Sequence, residues 1–286
     1  MGNIAKYIED GVAQVLLNEL SEVGRDIAIL DSNDKIFQEY FHLCLTFPIP
    51  QKYYVHIHRD FTCPDEYLEG YNRLITKIKS GQEFSAHLSR TTKDSTKHDF
   101  MLYDWGIYHF HLGLTKESDG YVQRTSKLLY AYINNVDIYL LGIFEHGQWN
   151  NQELIEIIHK YYPWSIKGWL IEGKLERIIN QDEERNAFRN AHINTMVTMS
   201  DGTSYIGPGS GITAAGTSAK VGMQVVDKFH EFRNIEKELL LKYPEEEILS
   251  CKIERRDDDI VLVDSKNYIT IYTWKALKAR IEQTTL

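Results

Sequence analysis

Alternating apolar and polar positions predict a β-strand at residues 104–113, around which the first half of the chain is organised. Its odd positions carry Trp105, Ile107, His109 and His111, and its even positions carry Tyr108, Phe110 and Leu112. Because side chains in a strand alternate between two faces, His109 and His111 are expected on the same side, roughly 7 Å apart. Two further apolar runs, at 128–133 and 138–146, are predicted to pair with it as antiparallel strands.

Apolar residues spaced three or four positions apart predict the helices. This spacing is found at residues 4–20, 35–45, 64–80 and 154–161. A further strand is predicted at 52–58, where His56 and His58 share one face, and a long polar loop at 82–99. Residues 50–165 are therefore expected to form a compact α+β unit in which helices flank an antiparallel sheet.

The second half of the chain shows a hairpin at 193–206, a long helix at 217–242 and three strands at 248–253, 259–263 and 268–272, followed by a short helix after Trp274. The predicted fold class is α+β, with N-terminal helices packed on a small antiparallel sheet and a second α+β domain of hairpin, long helix and three-stranded meander. The predicted boundaries are a first domain at 1–170 that carries the His-rich face, a linking helix at 171–191 and a C-terminal domain at 192–286.

Composition limits the classes of function. The 286 residues carry a net charge of -9, which argues against a basic nucleic-acid binder of the usual kind. Three widely separated cysteines, Cys44, Cys63 and Cys251, fit neither a disulfide framework nor a Cys-rich zinc site. The N-terminal residues do not resemble a signal peptide, and no run of apolar residues is long enough to span a membrane. We therefore expect a cytoplasmic protein with no membrane partner.

His109, His111 and His146 converge if the three strands pair in sequence order. Three interpretations follow: metal-free acid and base catalysis, a zinc site of three imidazoles, or a half-hydrated sheet face covered by the second domain. The strand at 104–113 offers no acidic ligand beside its histidines, which argues against a metal. No cofactor is therefore expected, and zinc is the metal that these imidazoles would suit.

Other candidate residues surround these histidines. Arg124 and Lys127 precede the second strand and could hold a phosphate, and Tyr132 shares a face with Tyr130 and could donate a proton or stack on a base. The glycine-rich segment 207–216 is similar to a phosphate cradle, although it fits neither the Walker A nor the dinucleotide pattern. Its candidate residues are Gly207, Gly209, Gly211 and Thr217.

The order of a helix followed by three antiparallel strands, with His109, His111, Arg124 and Tyr132 on the sheet, resembles small bacterial toxin ribonucleases of the RelE and BrnT kind. The resemblance covers residues 64–165 and includes no diagnostic motif. Two features depart from those toxins, which are small and usually basic, because this chain is acidic and carries another domain. The resemblance implies a fold of helix and sheet and an RNA substrate.

The sequence thus favours a toxin-like, metal-independent endoribonuclease acting in phage defence or growth arrest. His109 or His111 would be the general base, His146 the general acid, and Arg124 with Lys127 would stabilise the phosphate. The expected partners are RNA and a protein such as an antitoxin. The alternative is a two-domain binding protein that recognises a protein or nucleic acid without chemistry. In either case, residues 207–218 are expected to cover the histidine face as a lid.

Overall fold

The computed structural model describes residues 3–94, 97–147, 151–172, 182–263 and 268–273. The predicted α+β class is confirmed, with N-terminal helices followed by small sheets. Contacts group the chain into two compact units, one of residues 50–220 and one of residues 1–49 together with 221–286. Within the described ranges, none of the helices has the length and apolar composition needed to cross a bilayer.

In chain order, the first elements are α1 (Asn3–Glu22), α2 (Asn33–Thr46), β1 (Tyr54–Ile57), α3 (Leu68–Ser80), α4 (Phe100–Trp105), β2 (Ile107–His111), β3 (Lys127–Asn134) and β4 (Asp137–Glu145). They are followed by α5 (Gln152–Tyr161), β5 (Leu170–Ile171), α6 (Asp182–Asn190), β6 (Val197–Thr198) and β7 (Ser204–Tyr205). The last elements are α7 (Ala219–Leu240), α8 (Glu245–Ser250), β8 (Lys252–Arg256), β9 (Asp259–Val263) and β10 (Tyr268–Thr273). Short 3₁₀ helices lie at Ile27–Ile29, Asp65–Tyr67, Ser85–His87, Arg90–Lys93 and Pro163–Trp169.

The unit of residues 50–220 contains a four-stranded sheet in the order β1-β4-β3-β2. The antiparallel pairing of β2 with β3 and of β3 with β4 is as predicted. The predicted antiparallel sheet gains a fourth strand, because β1 joins the edge of β4 in parallel. Parallel strands require a long connection, and here the chain between β1 and β4 includes α3, α4 and two strands.

Register decides which face of this sheet carries the histidines. Directly paired residues share a face, so His109 lies beside Tyr130, and His111 lies beside Leu128. This face packs against Leu154, Ile155 and Ile158 of α5 in one buried apolar cluster. On the opposite face, the ring of Phe110 contacts the ring of Phe84 at 5.8 Å between centroids. The histidines are therefore set into the face that α5 covers.

The predicted strand at 104–113 is shorter than expected, because its first residues belong to α4. The side chain of Asp99 accepts a hydrogen bond from the amide of Leu102 and begins the helix, and Gly106, at a φ of 66°, ends it. Trp105 is therefore a buried helical residue and does not share the strand with His109. The predicted loop at 82–99 likewise contains two of the 3₁₀ helices.

The other unit joins the two ends of the chain. Helix α1 packs against α2 and β8, and Arg255 of β8 donates from Nε to Glu19 of α1 at 2.8 Å. The predicted boundaries at 170 and 191 differ from this grouping, because local periodicity carries no information about contacts between distant segments. Part of the predicted linking helix, residues 173–181, and the predicted helix after Trp274 lie outside the described residues.

The small elements of the second half agree with the predicted order and differ in detail. The hairpin strands β6 and β7 have two residues each, and β5 pairs with β7 to make a separate three-stranded sheet. Strands β8, β9 and β10 form the predicted antiparallel meander. The first of them begins at Lys252 instead of Ile248, because residues 245–250 form α8.

Candidate active site

The capping residue of α4 is also the acidic neighbour of His109. One oxygen of Asp99 accepts from the Leu102 amide at 3.0 Å, and the other lies 3.4 Å from Nδ1 of His109. A carboxylate only accepts, so this contact favours the neutral tautomer that carries its proton on Nδ1 and its lone pair on Nε2. Burial lowers the pKa of His109, whereas the Asp99 carboxylate raises it and His146 lowers it further. The geometry therefore favours a neutral His109 that is oriented to accept a proton.

His111 is held in the opposite tautomer. The backbone amide of Thr125 donates to its Nδ1 at 3.1 Å, so the neutral ring carries its proton on Nε2. The side chain is buried, and Nε2 has no hydrogen-bond partner among the described residues. Burial, reinforced by the neighbouring imidazoles of His109 and His146 and by the Arg124 guanidinium, lowers the pKa of His111 to about 4. His111 is thus a neutral donor near pH 7, which makes it unsuitable as the general base.

His146 follows the last residue of β4 and completes the row of imidazoles. Its amide donates to the carbonyl of Ser126 at 3.1 Å, and its exposed ring lies 6.0 Å from the ring of His111 between centroids. Arg124 is exposed in the segment that leads into β3, close enough for its charge to affect the pKa of His111. The structure therefore brings His109, His111 and His146 together, with Arg124 within electrostatic range of His111.

Two predicted site residues have other environments. The ammonium group of Lys127 lies 3.5 Å from the Glu145 carboxylate, so a cation predicted to bind phosphate is engaged in an ion pair. Tyr132 is paired with Ile107 and stacks on Tyr139 at 5.7 Å between ring centroids, inside the apolar cluster. Burial raises the pKa of the Tyr132 hydroxyl, and its place on the strand separates it from His111. The structure does not place Tyr132 with the three histidines.

The glycine-rich segment lies against the end of α4. The amide of Gly209 donates to the carbonyl of Asp104 at 2.8 Å, and the amide of Gly211 donates to that of Tyr103 at 3.0 Å. A Cβ atom on Gly207 would lie 2.1 Å from the Asp104 carbonyl oxygen, so this glycine is required for close approach of the backbones. Thr217 bonds to the hydroxyl of Thr213. The contacts favour a packing role over the predicted phosphate cradle.

The hypothesis that residues 207–218 form a lid supplied by a second domain is corrected in one respect. The segment 207–218 belongs to the same compact unit as the histidines and is not part of a separate second domain. It contacts residues 103 and 104, at the start of the stretch in which the strand was predicted. Its movement on ligand binding stays a prediction.

The zinc interpretation requires ligands that converge on one point. Within the described residues, no group of three or more His, Cys, Asp or Glu side chains is placed to hold a metal ion. Nδ1 of His109 faces a carboxylate, and Nδ1 of His111 accepts from an amide, which turns the two rings towards different partners. His109, His111 and His146 are therefore neighbours without forming a metal-binding group.

Asp99 was not among the site residues predicted from the sequence. A local sequence pattern could have identified it. An Asp directly before an apolar run of helical spacing is a typical helix N-cap, and residues 99–102 show this pattern. His98, which precedes it, is exposed and contacts Tyr103, with its Nδ1 3.4 Å from the Tyr103 hydroxyl. His98 therefore lies beside the site without entering the row of imidazoles.

The buried His111 predicts a loss of stability in acid. Its pKa is about 4 in the folded protein and near 6.5 when unfolded, so between these values the unfolded chain binds the extra proton. The free energy of unfolding should fall as the pH is lowered from 6.5 to 4, by on the order of 3 kcal/mol from this residue. Urea unfolding at several pH values measures this loss.

His111→Asn places an oxygen where Nδ1 accepts from Thr125 and should remove this part of the pH dependence. His230→Asn, a change of an exposed histidine on α7, is the control and should leave the dependence intact. An equal acid loss in His111→Asn and the wild-type protein would contradict a neutral, buried His111.

No protein-family model matches the chain, and comparisons with curated proteins and with solved structures found no significant match either.

Proposed function

We propose that the protein is a metal-independent endoribonuclease whose site is formed by Asp99, His109, His111, His146 and Arg124. The observation that carries the proposal is the pair of contacts at the Nδ1 atoms, with the Asp99 carboxylate beside His109 and the Thr125 amide on His111. These contacts favour opposite tautomers, with a lone pair on Nε2 of His109 and a proton on Nε2 of His111. Transfer of a phosphoryl group to a neighbouring hydroxyl requires a base that accepts the hydroxyl proton. A neutral donor beside this base can stabilise the charge on the phosphate oxygens.

In the proposed reaction, Nε2 of His109 accepts the proton of a ribose 2′-hydroxyl. The 2′-oxygen forms a bond to phosphorus while the bond from phosphorus to the 5′-oxygen breaks, and protonated His146 gives its proton to that leaving oxygen. The Nε2 proton of His111 and the Arg124 guanidinium stabilise the charge on the phosphate oxygens. The products are a 2′,3′-cyclic phosphate and a 5′-hydroxyl. Asp99 acts as a positioning residue for His109.

The proposal is tested with purified protein and RNA oligonucleotides in the presence of EDTA. Cleavage to cyclic-phosphate and 5′-hydroxyl ends is expected. Intact RNA under every metal condition would refute the proposal. Binding of RNA without cleavage would favour the alternative of a binding protein. An RNA-cleaving enzyme should also arrest growth when it is expressed in a bacterial cytoplasm, and an antitoxin would then be the protein partner to seek.

The role of His146 can be separated from that of the base by changing the leaving group. His146→Ala should slow RNA cleavage by about 10²- to 10⁴-fold, because the 5′-oxygen must be protonated as it leaves. With uridine 3′-(4-nitrophenyl phosphate), whose nitrophenolate leaves without a proton, the same variant should lose much less activity. Equal losses on the two substrates would show that His146 is not the general acid.

Arg124→Ala is expected to lower kcat by about 10²- to 10³-fold, the typical cost of removing one group that stabilises charge in a transition state. Arg73→Ala is the matched control, since Arg73 is an exposed cation on α3 that pairs with Glu69. Steady-state kinetics of both variants measure the difference. If Arg124→Ala and Arg73→Ala behave alike, Arg124 has no role in the reaction.

A further inference from the structure

A cleft of about 790 Å³ opens between β4, α5 and the segment that follows β1. Its volume lies within the range of small-ligand sites. Aromatic and aliphatic side chains line it together with the carboxylates of Asp60, Glu153 and Glu156 and the ammonium group of Lys160. Its lining also includes Gly142, Phe144 and Tyr161.

The register of the sheet connects this cleft to the histidines. His109 pairs with Tyr130, which pairs with Gly142 on the same face, so the cleft begins two strand spacings from His109, on the order of 10 Å. The ring of Tyr130 lies 6.0 Å from the ring of His109 and 6.0 Å from that of Phe144. The Tyr130 ring is itself buried, so the open path for a nucleotide runs past His146, which is exposed and follows Phe144 by two residues.

The wall formed by His58 and Tyr161 is held in place before any ligand binds. Nε2 of His58 donates to the carbonyl of Leu141 at 3.2 Å, and the His58 ring stacks on Tyr161 at 4.3 Å between centroids. The Tyr161 hydroxyl donates to Asp60, and Lys160 lies over the Tyr161 ring at 4.6 Å. His58 and Lys160 cover the Tyr161 ring, so a flat, unsaturated ligand would stack on Phe144, which also lines the cleft, and the wall that is already fixed loses little side-chain freedom.

The carboxylates of Glu153 and Glu156 determine which flat ligand the cleft can bind, because they differ in the hydrogen bonds that they can still accept. Glu156 accepts from the amide of Ser200 at 2.8 Å and so is engaged within the protein. Glu153, in the first turn of α5, lines the cleft with an exposed carboxylate. A carboxylate only accepts, and its two oxygens match two adjacent donors. Among the bases of RNA, guanine presents such a pair on its Watson–Crick edge, the N1–H and the 2-amino group.

We propose that this cleft binds a guanine base of the RNA substrate and that Glu153 determines the preference for guanine. The inference rests on the proposed ribonuclease function, since it names the base next to the phosphate that is cleaved. In this arrangement the phosphate lies at the histidines and the base stacks in the cleft. The Glu153 carboxylate then faces the base and not the phosphate. This arrangement reconciles an anionic substrate with a chain of net charge -9.

The experiment compares kcat/KM for oligonucleotides that carry a single guanosine, inosine or adenosine at the position next to the cleaved bond. Guanosine should exceed adenosine by about 10- to 100-fold, with inosine between them because it lacks the 2-amino group. Glu153→Gln should bring the ratio of guanosine to adenosine close to one. Glu69→Gln, which changes an exposed carboxylate in the first turn of α3, is the matched control and should keep the ratio.

The failure of this inference can be told apart from failure of the proposed function. Cleavage with no base preference, or with a preference that Glu153→Gln retains, would overturn the inference and leave the ribonuclease intact. If RNA is not cleaved, the function fails, and GMP and AMP are titrated into the wild-type protein while the amides of α5 are followed by NMR. Tighter binding of GMP that Glu153→Gln abolishes would support a guanine site. Equal binding or none would overturn it.

Discussion

His109→Ala is expected to reduce kcat for RNA cleavage by about 10²- to 10⁴-fold, the typical contribution of a general base. The loss should be as large with the nitrophenyl substrate as with RNA, because the 2′-hydroxyl must be deprotonated in both. Stopped-time cleavage assays give the rate, and thermal unfolding shows whether the variant is folded. A folded His109→Ala protein with unaltered activity would remove the central element of the proposed mechanism.

Substitution of Asp99 gives a second test of His109 as the general base. The Asp99 carboxylate raises the pKa of His109 against the larger lowering effect of burial. Asp99→Asn should therefore move the acidic limb of the profile of kcat/KM against pH to lower pH, in addition to lowering its maximum. A residue with a purely structural role would change the maximum and leave the position of this limb unaltered.

The sequence predicted the site best where local patterns determine the geometry. Strict alternation in the run from Ile107 to Leu112 identified β2 and put His109 and His111 on one face, because the period of a strand needs no distant information. Trp105 was assigned to the strand in error. A helix of six residues is too short to show a helical period, and only the cap at Asp99 and the left-handed Gly106 mark its ends.

Other features depend on contacts between distant residues. The parallel pairing of β1 with β4 joins residues 54–57 to 137–140, and nothing in either segment specifies the direction of its neighbour. The pair of Glu19 and Arg255 brings together opposite ends of the chain. The tautomer of His111 depends on the amide of Thr125, which no side-chain pattern encodes. The sequence could therefore name the histidines, but the different partners of the His109 and His111 rings required the structure.

A substitution in the glycine-rich segment 207–216 is expected to have the other large effect, a loss of stability. Gly209→Ala is expected to lower the free energy of unfolding by about 1–3 kcal/mol, the usual cost of overpacking. A Cβ atom at this position would lie 2.2 Å from the carbonyl oxygen of Tyr103, and backbone on both sides of the contact would have to move. Urea unfolding followed by circular dichroism measures the change.

Gly168→Ala is the matched control, because a Cβ atom there meets no other atom within 4 Å, and its stability should stay close to that of the wild-type protein. The two interpretations of the segment predict opposite results for Gly209→Ala. A phosphate cradle predicts a stable protein with weakened RNA binding, since the added methyl would obstruct the anion and not the fold. A packing glycine predicts an unstable protein, because the amides of Gly209 and Gly211 already bond to α4 and the two backbones touch. A Gly209→Ala protein as stable as Gly168→Ala would return the segment to the list of candidate phosphate sites.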